Sequence, residues 1–208
     1  VDTGPLGEVI TASEEAERLC GGDPDLGGQL VGFSPYGWML GFRAGALALL
    51  GRLQEAEREL ERAAEIGRER GDQDVLLLSH VMSSIWCELM GDAIGALSHA
   101  RHAVEAAETR SIMSMSVAQV ALGWALVLND HCQEAAEILE RALAAMREHR
   151  IGLQIEALVL ARLAEAYLGC GDLTRARAIA GEAVAVARQR HTMEIEPLLA
   201  RARVLLGS

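Results

Sequence analysis

The apolar positions of this chain recur with the period of an α-helix, and the same pattern returns four times. Ala56, Leu60 and Ala63 are spaced by four and then three positions, which places them on one helical face. The same spacing returns at 96–103, 135–142 and 176–183, so that successive starts lie 40, 39 and 41 residues apart. The pattern predicts one similar helix in each of four repeated units.

The residues that precede each of these triplets indicate another helix in every unit. Five residues before each start stands a turn residue, and seven residues before the turn stands a small residue that lets two helices approach closely. The turn residues are Gly51, Gly91, Asp130 and Gly171, and the small residues are Ala44, Ser84, Gly123 and Ala164. A period in this range with two helices per unit is typical of an α-solenoid.

The helix pairs predicted in this way are 34–50 with 53–70, 73–90 with 93–108, 112–128 with 131–149, and 153–169 with 173–190. Ser34 and Pro35 suit the start of the first helix. The pairs Gly71-Asp72, Gly91-Asp92 and Gly171-Asp172 suit the end of one helix and the N-cap of the next. Asp130 and Gln133 are predicted to form a capping box. A final helix over 194–206 lacks a partner.

The first 33 residues are predicted to be a separate N-terminal segment, and residues 34–208 the helical repeat domain. The segment comprises a poorly ordered tail at 1–7, a helix at 8–20 and a Gly/Asp/Pro-rich loop at 21–32. In the helix, Ala12, Ala16 and Leu19 share one face, which we expect to pack on the array. Both chain ends lie within the repeat pattern, so a fragment of a larger protein is expected.

The small residue, the larger residue three positions later, the turn and the Ala-x3-Leu/Ala-x2-Ala run together resemble the tetratricopeptide repeat (TPR). The likeness is strongest over 160–184, LARLAEAYLGCGDLTRARAIAGEAV, and covers about 34–208. The long units, and the stretch GFSPYGWMLGFRAGALALLGRLQEA, resemble the C-terminal arrays of bacterial class III adenylate cyclases and of ATPase-type and LuxR-type regulators. The resemblance implies a right-handed, all-α solenoid of about four hairpins plus terminal helices.

Composition supports a cytoplasmic, all-α protein. Half of the residues are apolar but only 3% are aromatic, and the net charge is −11. An acidic chain without a basic stripe argues against nucleic acid or an anionic membrane as a partner. No apolar run reaches the ~20 residues of a membrane span, and no secretory signal is present at the start. The four dispersed cysteines predict reduced thiols near helix interfaces.

The resemblance also implies that the first helix of each unit faces the concave groove. Counted from the small residue of each unit, most of the groove positions are apolar, and they lack the Lys, Arg and Asn expected of arrays that clamp a carboxylate. The predicted partner-binding residues are Trp38, Leu78, Val81, Ile85, Val117, Val120, Trp124, Leu158 and Glu165. The alternatives for these residues are a packed core, a small apolar ligand, and burial by dimerisation.

No pattern in the sequence predicts catalysis, a cofactor or a metal. His99 and His102 are the one histidine pair at helical spacing, but no Cys, Asp or Glu nearby completes a ligand set. His131-Cys132 lacks a third group to orient it. We therefore predict a non-catalytic protein-interaction module from a bacterial signalling or transcriptional regulator, with any cyclase or ATPase domain outside these residues. A small-ligand sensor and a homodimer through the C-terminal helix remain as alternatives.

Overall fold

The computed structural model describes residues 5–192 and 195–206, and within these residues all regular secondary structure is helical. The chain divides into two compact units, one ending at Arg110 and the other starting at Ser111. None of the described helices is long and apolar enough to cross a bilayer.

The described part of the first unit contains six helices. Their bounds are α1 Pro5–Cys20, α2 Gly28–Val31, α3 Pro35–Leu49, α4 Leu53–Arg70, α5 Gln73–Leu89 and α6 Ala93–Ala107. Helices α3 and α4 form one antiparallel hairpin, and α5 and α6 form the next. Helix α5 also packs against both α3 and α4, so that consecutive hairpins share an interface, and α1 packs on α3.

The second unit repeats this arrangement. Its helices are α7 Ile112–Leu128, α8 Cys132–His149, α9 Glu156–Gly169, α10 Leu173–Arg190 and α11 Ile195–Leu206, with a 3-10 turn at Leu153–Ile155. Helices α7 and α8 form one hairpin, α9 and α10 form another, and α11 packs against both helices of the latter. The predicted helix pairs are therefore present.

Each hairpin turns at a residue in the left-handed conformation. The four predicted turn residues have φ of 76° at Gly51, 74° at Gly91, 60° at Asp130 and 78° at Gly171. The amide that follows each of them donates to the carbonyl of the larger residue in the repeat, for example Arg52 to Leu47 at 2.9 Å and Asp172 to Tyr167 at 3.0 Å. This hydrogen bond closes a Schellman-type C-cap, and it explains why the turn lies at a fixed distance from the preceding helix.

Aspartate starts the next helix at three of the predicted positions. The carboxylate of Asp72 accepts from the amide of Val75 at 3.1 Å, Asp92 from Gly95 at 2.8 Å, and Asp172 from Arg175 at 3.0 Å. Ser34 acts in the same way for Gly37 at 3.2 Å. Each bond satisfies an amide that has no partner within its own helix.

The repeated small positions are the inter-helix contacts. All twelve residues of the Ala/Leu triplets are buried, as are Ala44, Ser84, Gly123 and Ala164. The Ser84 hydroxyl donates to the Ala96 carbonyl across the α5–α6 hairpin at 3.0 Å. A Cβ on Gly123 would lie 2.5 Å from Cγ of Leu139, which shows how closely α7 approaches α8.

Three sequence-based predictions for the first 33 residues are wrong. Helix α1 begins at Pro5 rather than at residue 8, so residues 5–7 are not part of a tail; the rest of the predicted tail lies outside the described residues. Ala12, Ala16 and Leu19 are exposed, and Ile10 and Ser13 are the buried residues of α1. The predicted loop at 21–32 contains the short helix α2. The buried face of α1 differs because its polar residue Glu17 bonds to arginines of α3 and α4.

Two further predictions about helix starts are corrected. Asp130 adopts the left-handed conformation, so it ends α7 instead of capping α8, and the capping box with Gln133 does not form. The first helix of the fourth pair begins at Glu156, after the 3-10 turn, rather than at residue 153. The start predicted for the last helix at residue 194 lies outside the described residues.

Candidate functional site

An aromatic cluster lies at the start of α3 in the first unit. The ring of Trp38 lies 4.7 Å from that of Phe33 and meets Phe42 edge-on at 5.4 Å. The Trp38 indole donates its N–H to the Asp74 carbonyl of α5 at 3.2 Å. Phe42 remains 46% exposed. The cluster is held in place by α5 and presents an aromatic surface to solvent.

The other candidate residues of the first unit are partly used by packing. A Cβ on Gly41 would lie 2.9 Å from the Leu78 side chain, and one on Gly45 would lie 2.8 Å from Sδ of Met82. The two glycines thus let α5 side chains fill the surface of α3. Leu78 and Val81 are buried, whereas Trp38 and Ile85 are half-buried.

In the second unit, the candidate residues surround an ion pair. The Arg162 guanidinium lies over the Trp124 ring, 3.7 Å from its centroid, and donates to the Glu165 carboxylate at 2.8 Å. Glu165 also accepts from Arg203 of α11. Trp124 and Glu165 are therefore engaged within the unit. Val120 is buried, and Val117 and Leu158 are half-buried.

A charged network holds α1 to the first hairpin. The Glu17 carboxylate accepts from the Tyr36 hydroxyl at 2.7 Å, from Arg43 at 2.6 Å and from Arg62 at 2.9 Å. Arg43 is buried and also donates to Glu59 at 2.7 Å, so the Glu59 carboxylate is part of the same network.

The network changes the titration of its members. Burial disfavours the charged form of Glu17, but the hydrogen bonds from Tyr36, Arg43 and Arg62 outweigh it and lower the pKa of Glu17 to about 2. Burial and the hydrogen bond to Glu17 raise the pKa of Tyr36 to about 12. Glu17 is therefore ionised wherever the chain is folded near neutral pH.

A cavity of about 350 Å³ opens elsewhere on the first unit, between α4 and the α5–α6 hairpin. Its apolar lining includes Leu60, Leu76 and Trp86, and its polar lining includes Glu57, Glu61, Arg68, His80 and His99. The Trp86 indole donates to the Leu53 carbonyl at 3.0 Å, which fixes this ring as Asp74 fixes Trp38.

Three histidines meet beside this cavity. Nδ1 of His80 lies 3.1 Å from Nδ1 of His99, and the His80 ring lies 5.1 Å from that of His102. Burial, with His99, His102 and Arg68 nearby, lowers the pKa of His80 to about 4, and burial and His102 also lower the pKa of His99. The sequence pattern found His99 and His102 but missed His80, because a partner on the neighbouring helix has no fixed spacing from them.

The remaining candidate chemistry is not assembled into a site. His131 is exposed, and its Nδ1 lies 3.7 Å from the exposed Glu134, with Cys132 next in the chain. None of the four cysteines forms a disulfide; Cys87 is buried and Cys170 exposed. Within residues 5–192 and 195–206, no three His, Cys, Asp or Glu side chains already surround a point where a metal ion would sit.

Comparison with known proteins shows the fold. No protein-family model and no curated protein matches the sequence. The structure of BtubC from P. vanneervenii matches 98% of this chain and 84% of its own length, with a TM-score of 0.68 and 18% identity. The TPR-like repeats of a putative kinesin light chain from Podosopora anserina match 81% of this chain and 84% of their own, with a TM-score of 0.62 and 21% identity.

A third match is a signal transduction ATPase with numerous domains (STAND) from Pyrococcus horikoshii that carries a tetratricopeptide repeat sensor. It covers 82% of this chain with a TM-score of 0.61 and 15% identity, and the chain spans 27% of that protein's length. Together these similarities confirm the predicted fold class, an all-α solenoid of TPR-like hairpins. At these identities the similarity extends to the fold alone.

Proposed function

We propose that this TPR-like array is a non-catalytic protein-interaction module that binds an apolar, helical segment of a partner through the first helices of its repeats. The observation that carries the proposal is the aromatic cluster on α3. It contains both phenylalanines of the chain and one of its three tryptophans, and Phe42 is exposed although the chain has few aromatic residues to bury. Exposed aromatic clusters of this kind are typical of interaction sites.

The proposed binding residues are the nine predicted from the sequence, in residues 34–208. Trp38 and Ile85 in the first unit, and Val117, Trp124 and Leu158 in the second, keep part of their surface accessible. An amphipathic helix would place its apolar side against the accessible residues of one unit, and a basic polar side would suit the net charge of −11.

The test replaces Trp38 and Trp124 with alanine, singly and together, and uses Trp86→Ala as the control. Trp38 and Trp86 are both half-buried indoles of the first unit that donate to a backbone carbonyl, so their loss should weaken folding to a similar extent. Only loss of Trp38 or Trp124 should reduce partner binding. Equal binding by the folded double variant and the unmodified chain would reject the proposed site.

The partner is best identified by photo-crosslinking. The chain contains no lysine, so amine-directed cross-linkers would find only its N-terminus. A photoreactive residue in place of Phe42 should capture the partner, whereas one in place of Glu61 on α4 should not. Equal capture at both positions would indicate non-specific association.

The wider role that we propose is a cytoplasmic segment of a larger bacterial signalling or transcriptional regulator. The likeness to a STAND protein with a TPR sensor supports this role. The open reading frame that encodes the chain provides the test: a reading frame that encodes neither a nucleotide cyclase nor an ATPase domain would contradict it.

Two alternative functions each have one supporting observation. A small-ligand sensor is supported by the cavity beside α4, which has the size of a ligand pocket. A homodimer is supported by α11, on which Leu198, Leu199, Leu205 and Leu206 are exposed. A thermal-shift screen with apolar metabolites tests the first, and light scattering over a range of concentrations tests the second.

A further inference from the structure

Three of the six histidines of the chain meet on one hairpin of the first unit. His99 and His102 are three positions apart on α6, and His80 reaches them from α5. The His80 ring lies 5.4 Å from the His99 ring and 5.1 Å from the His102 ring, measured between centroids. His80 is thus in contact with both of the other imidazoles.

These separations resemble those of imidazoles that share one metal ion. With Zn–N bonds of about 2.0–2.1 Å and tetrahedral angles, two ligand nitrogens lie about 3.3 Å apart, and the ring centres about 5 Å apart. Nδ1 of His80 and Nδ1 of His99 lie 3.1 Å apart. This distance is also that of a hydrogen bond between the two rings, and both nitrogens become free to donate to a metal when each ring is neutral and carries its proton on Nε2.

We propose that His80, His99 and His102 bind a divalent first-row transition metal ion such as Zn²⁺. His80 and His99 already provide two donors at the required spacing. The third donor requires His102 to rotate its ring toward the other two, since no three ligands converge in the described residues as they stand. His102 is exposed, so few contacts oppose the rotation.

The surroundings favour a metal of this class over hard cations. Three imidazoles suit zinc, copper and nickel, whereas magnesium and calcium prefer oxygen ligands. His80 and His99 also line the cavity that carries Glu57 and Glu61, so water or a carboxylate has access to the remaining coordination position. Arg68 lines the same cavity, and its positive charge opposes the binding of a metal ion.

The experiment titrates the full chain, free of any affinity tag, with Zn²⁺ and with Co²⁺ near neutral pH. We expect one equivalent to bind, the stability of the folded state to rise with the logarithm of the free metal concentration once the site is saturated, and Co²⁺ to give the visible absorption of a low-coordinate site. Replacing His80, His99 or His102 with alanine should weaken binding by roughly tenfold or more. His131→Ala and His149→Ala, which alter exposed histidines, should leave it unchanged within about twofold.

His102→Ala is the decisive variant, because His102 is exposed and its loss leaves the fold intact, as circular dichroism will verify. Unchanged binding in His102→Ala, or binding that falls equally in the control variants, would overturn the proposal. The same holds if Zn²⁺ produces no greater stabilisation than Mg²⁺. These outcomes are independent of the partner-binding tests, which use other residues.

Discussion

The close approach of α7 and α8 can be tested by adding a single methyl group. Gly123 occupies the repeated small position, and a Cβ there would lie 2.5 Å from Cγ and 2.7 Å from Cδ2 of Leu139. Leu139 is fully buried, and Cγ is the branch point of its side chain, so it cannot swing aside without moving its neighbours. Gly123→Ala should therefore strain the interface between the two helices.

Gly181→Ala provides a matched control in the same unit. Gly181 lies inside α10, is exposed, and has nothing within 4 Å of the position of a Cβ. Both substitutions gain the helix propensity of alanine over glycine, about 1 kcal/mol. Only Gly123→Ala adds an overpacking cost of about 1–3 kcal/mol, which is the expected difference between the two variants in free energy of unfolding.

The assay is urea denaturation followed by far-UV circular dichroism. Gly181→Ala should raise the midpoint, and Gly123→Ala should lower it or leave it below that of the control. Leu139→Ala alone should cost about 2–5 kcal/mol, but in that background Gly123→Ala should become stabilising, because the atoms it strikes are gone. Equal stability of the Gly123 and Gly181 variants, or a Gly123→Ala substitution that is no more favourable in the Leu139→Ala background than in the unmodified chain, would refute the argument.

Three further predictions concern charge and backbone conformation. The folded pKa of Glu17, about 2, lies below its ordinary value of 4.5, so its stabilisation is complete above pH 4.5 and lost as the pH falls towards 2. After allowance for the partial exposure of Glu17, we expect its carboxylate to contribute about 1–2 kcal/mol to the free energy of unfolding. The measurement compares acid unfolding of Glu17→Gln with that of the unmodified chain, and the variant should lose less stability as the pH falls. Arg43→Met removes the buried partner of the Glu17 and Glu59 carboxylates and should lower the free energy of unfolding by about 3–5 kcal/mol. The control Arg18→Met alters an exposed arginine and should lower it by less than about 0.5 kcal/mol. Asp130→Gly should raise the melting temperature, since glycine accepts a φ of 60° more readily by about 0.5–1 kcal/mol, while Gly171→Ala should lower it.

Each of these three predictions has an outcome that contradicts it. Identical acid unfolding of Glu17→Gln and the unmodified chain would mean that the carboxylate is solvated in the folded state. Equal effects of the Arg43 and Arg18 variants would place Arg43 at the surface. A destabilising Asp130→Gly would show that the aspartate side chain makes a bond that outweighs its backbone strain.

The hairpins were predictable because their determinants are local. Gly91 and Asp92 specify the end of α5 and the start of α6 through hydrogen bonds that reach no further than a few residues. The rule that aspartate caps the next helix fails at Asp130, because this aspartate stands at the turn position that glycine occupies in the other hairpins. Aspartate caps helices elsewhere in the chain, but Asp130 is itself the residue with the left-handed backbone conformation.

The errors and omissions arise where the partner lies far along the sequence. The face of α1 could not be read from alanine spacing, since what fixes it is Glu17, bonded to Arg43 and Arg62. The histidine cluster was half predicted for the same reason: the spacing on α6 is visible, and the contribution of His80 from α5 is not. The sequence also does not reveal which groove residues remain accessible, because the burial of Leu78 depends on Gly41 of the neighbouring helix.

The short connectors between paired helices have a consequence for how the chain folds. Because only a few residues separate the two helices of a hairpin, closing each loop costs little chain entropy. Such low contact order is associated with rapid folding, and each hairpin is a site from which folding can begin. A substitution that delays one hairpin should therefore be bypassed by nucleation at another, and should slow the refolding of the whole chain less than the same change would in a protein built from long-range strand pairs.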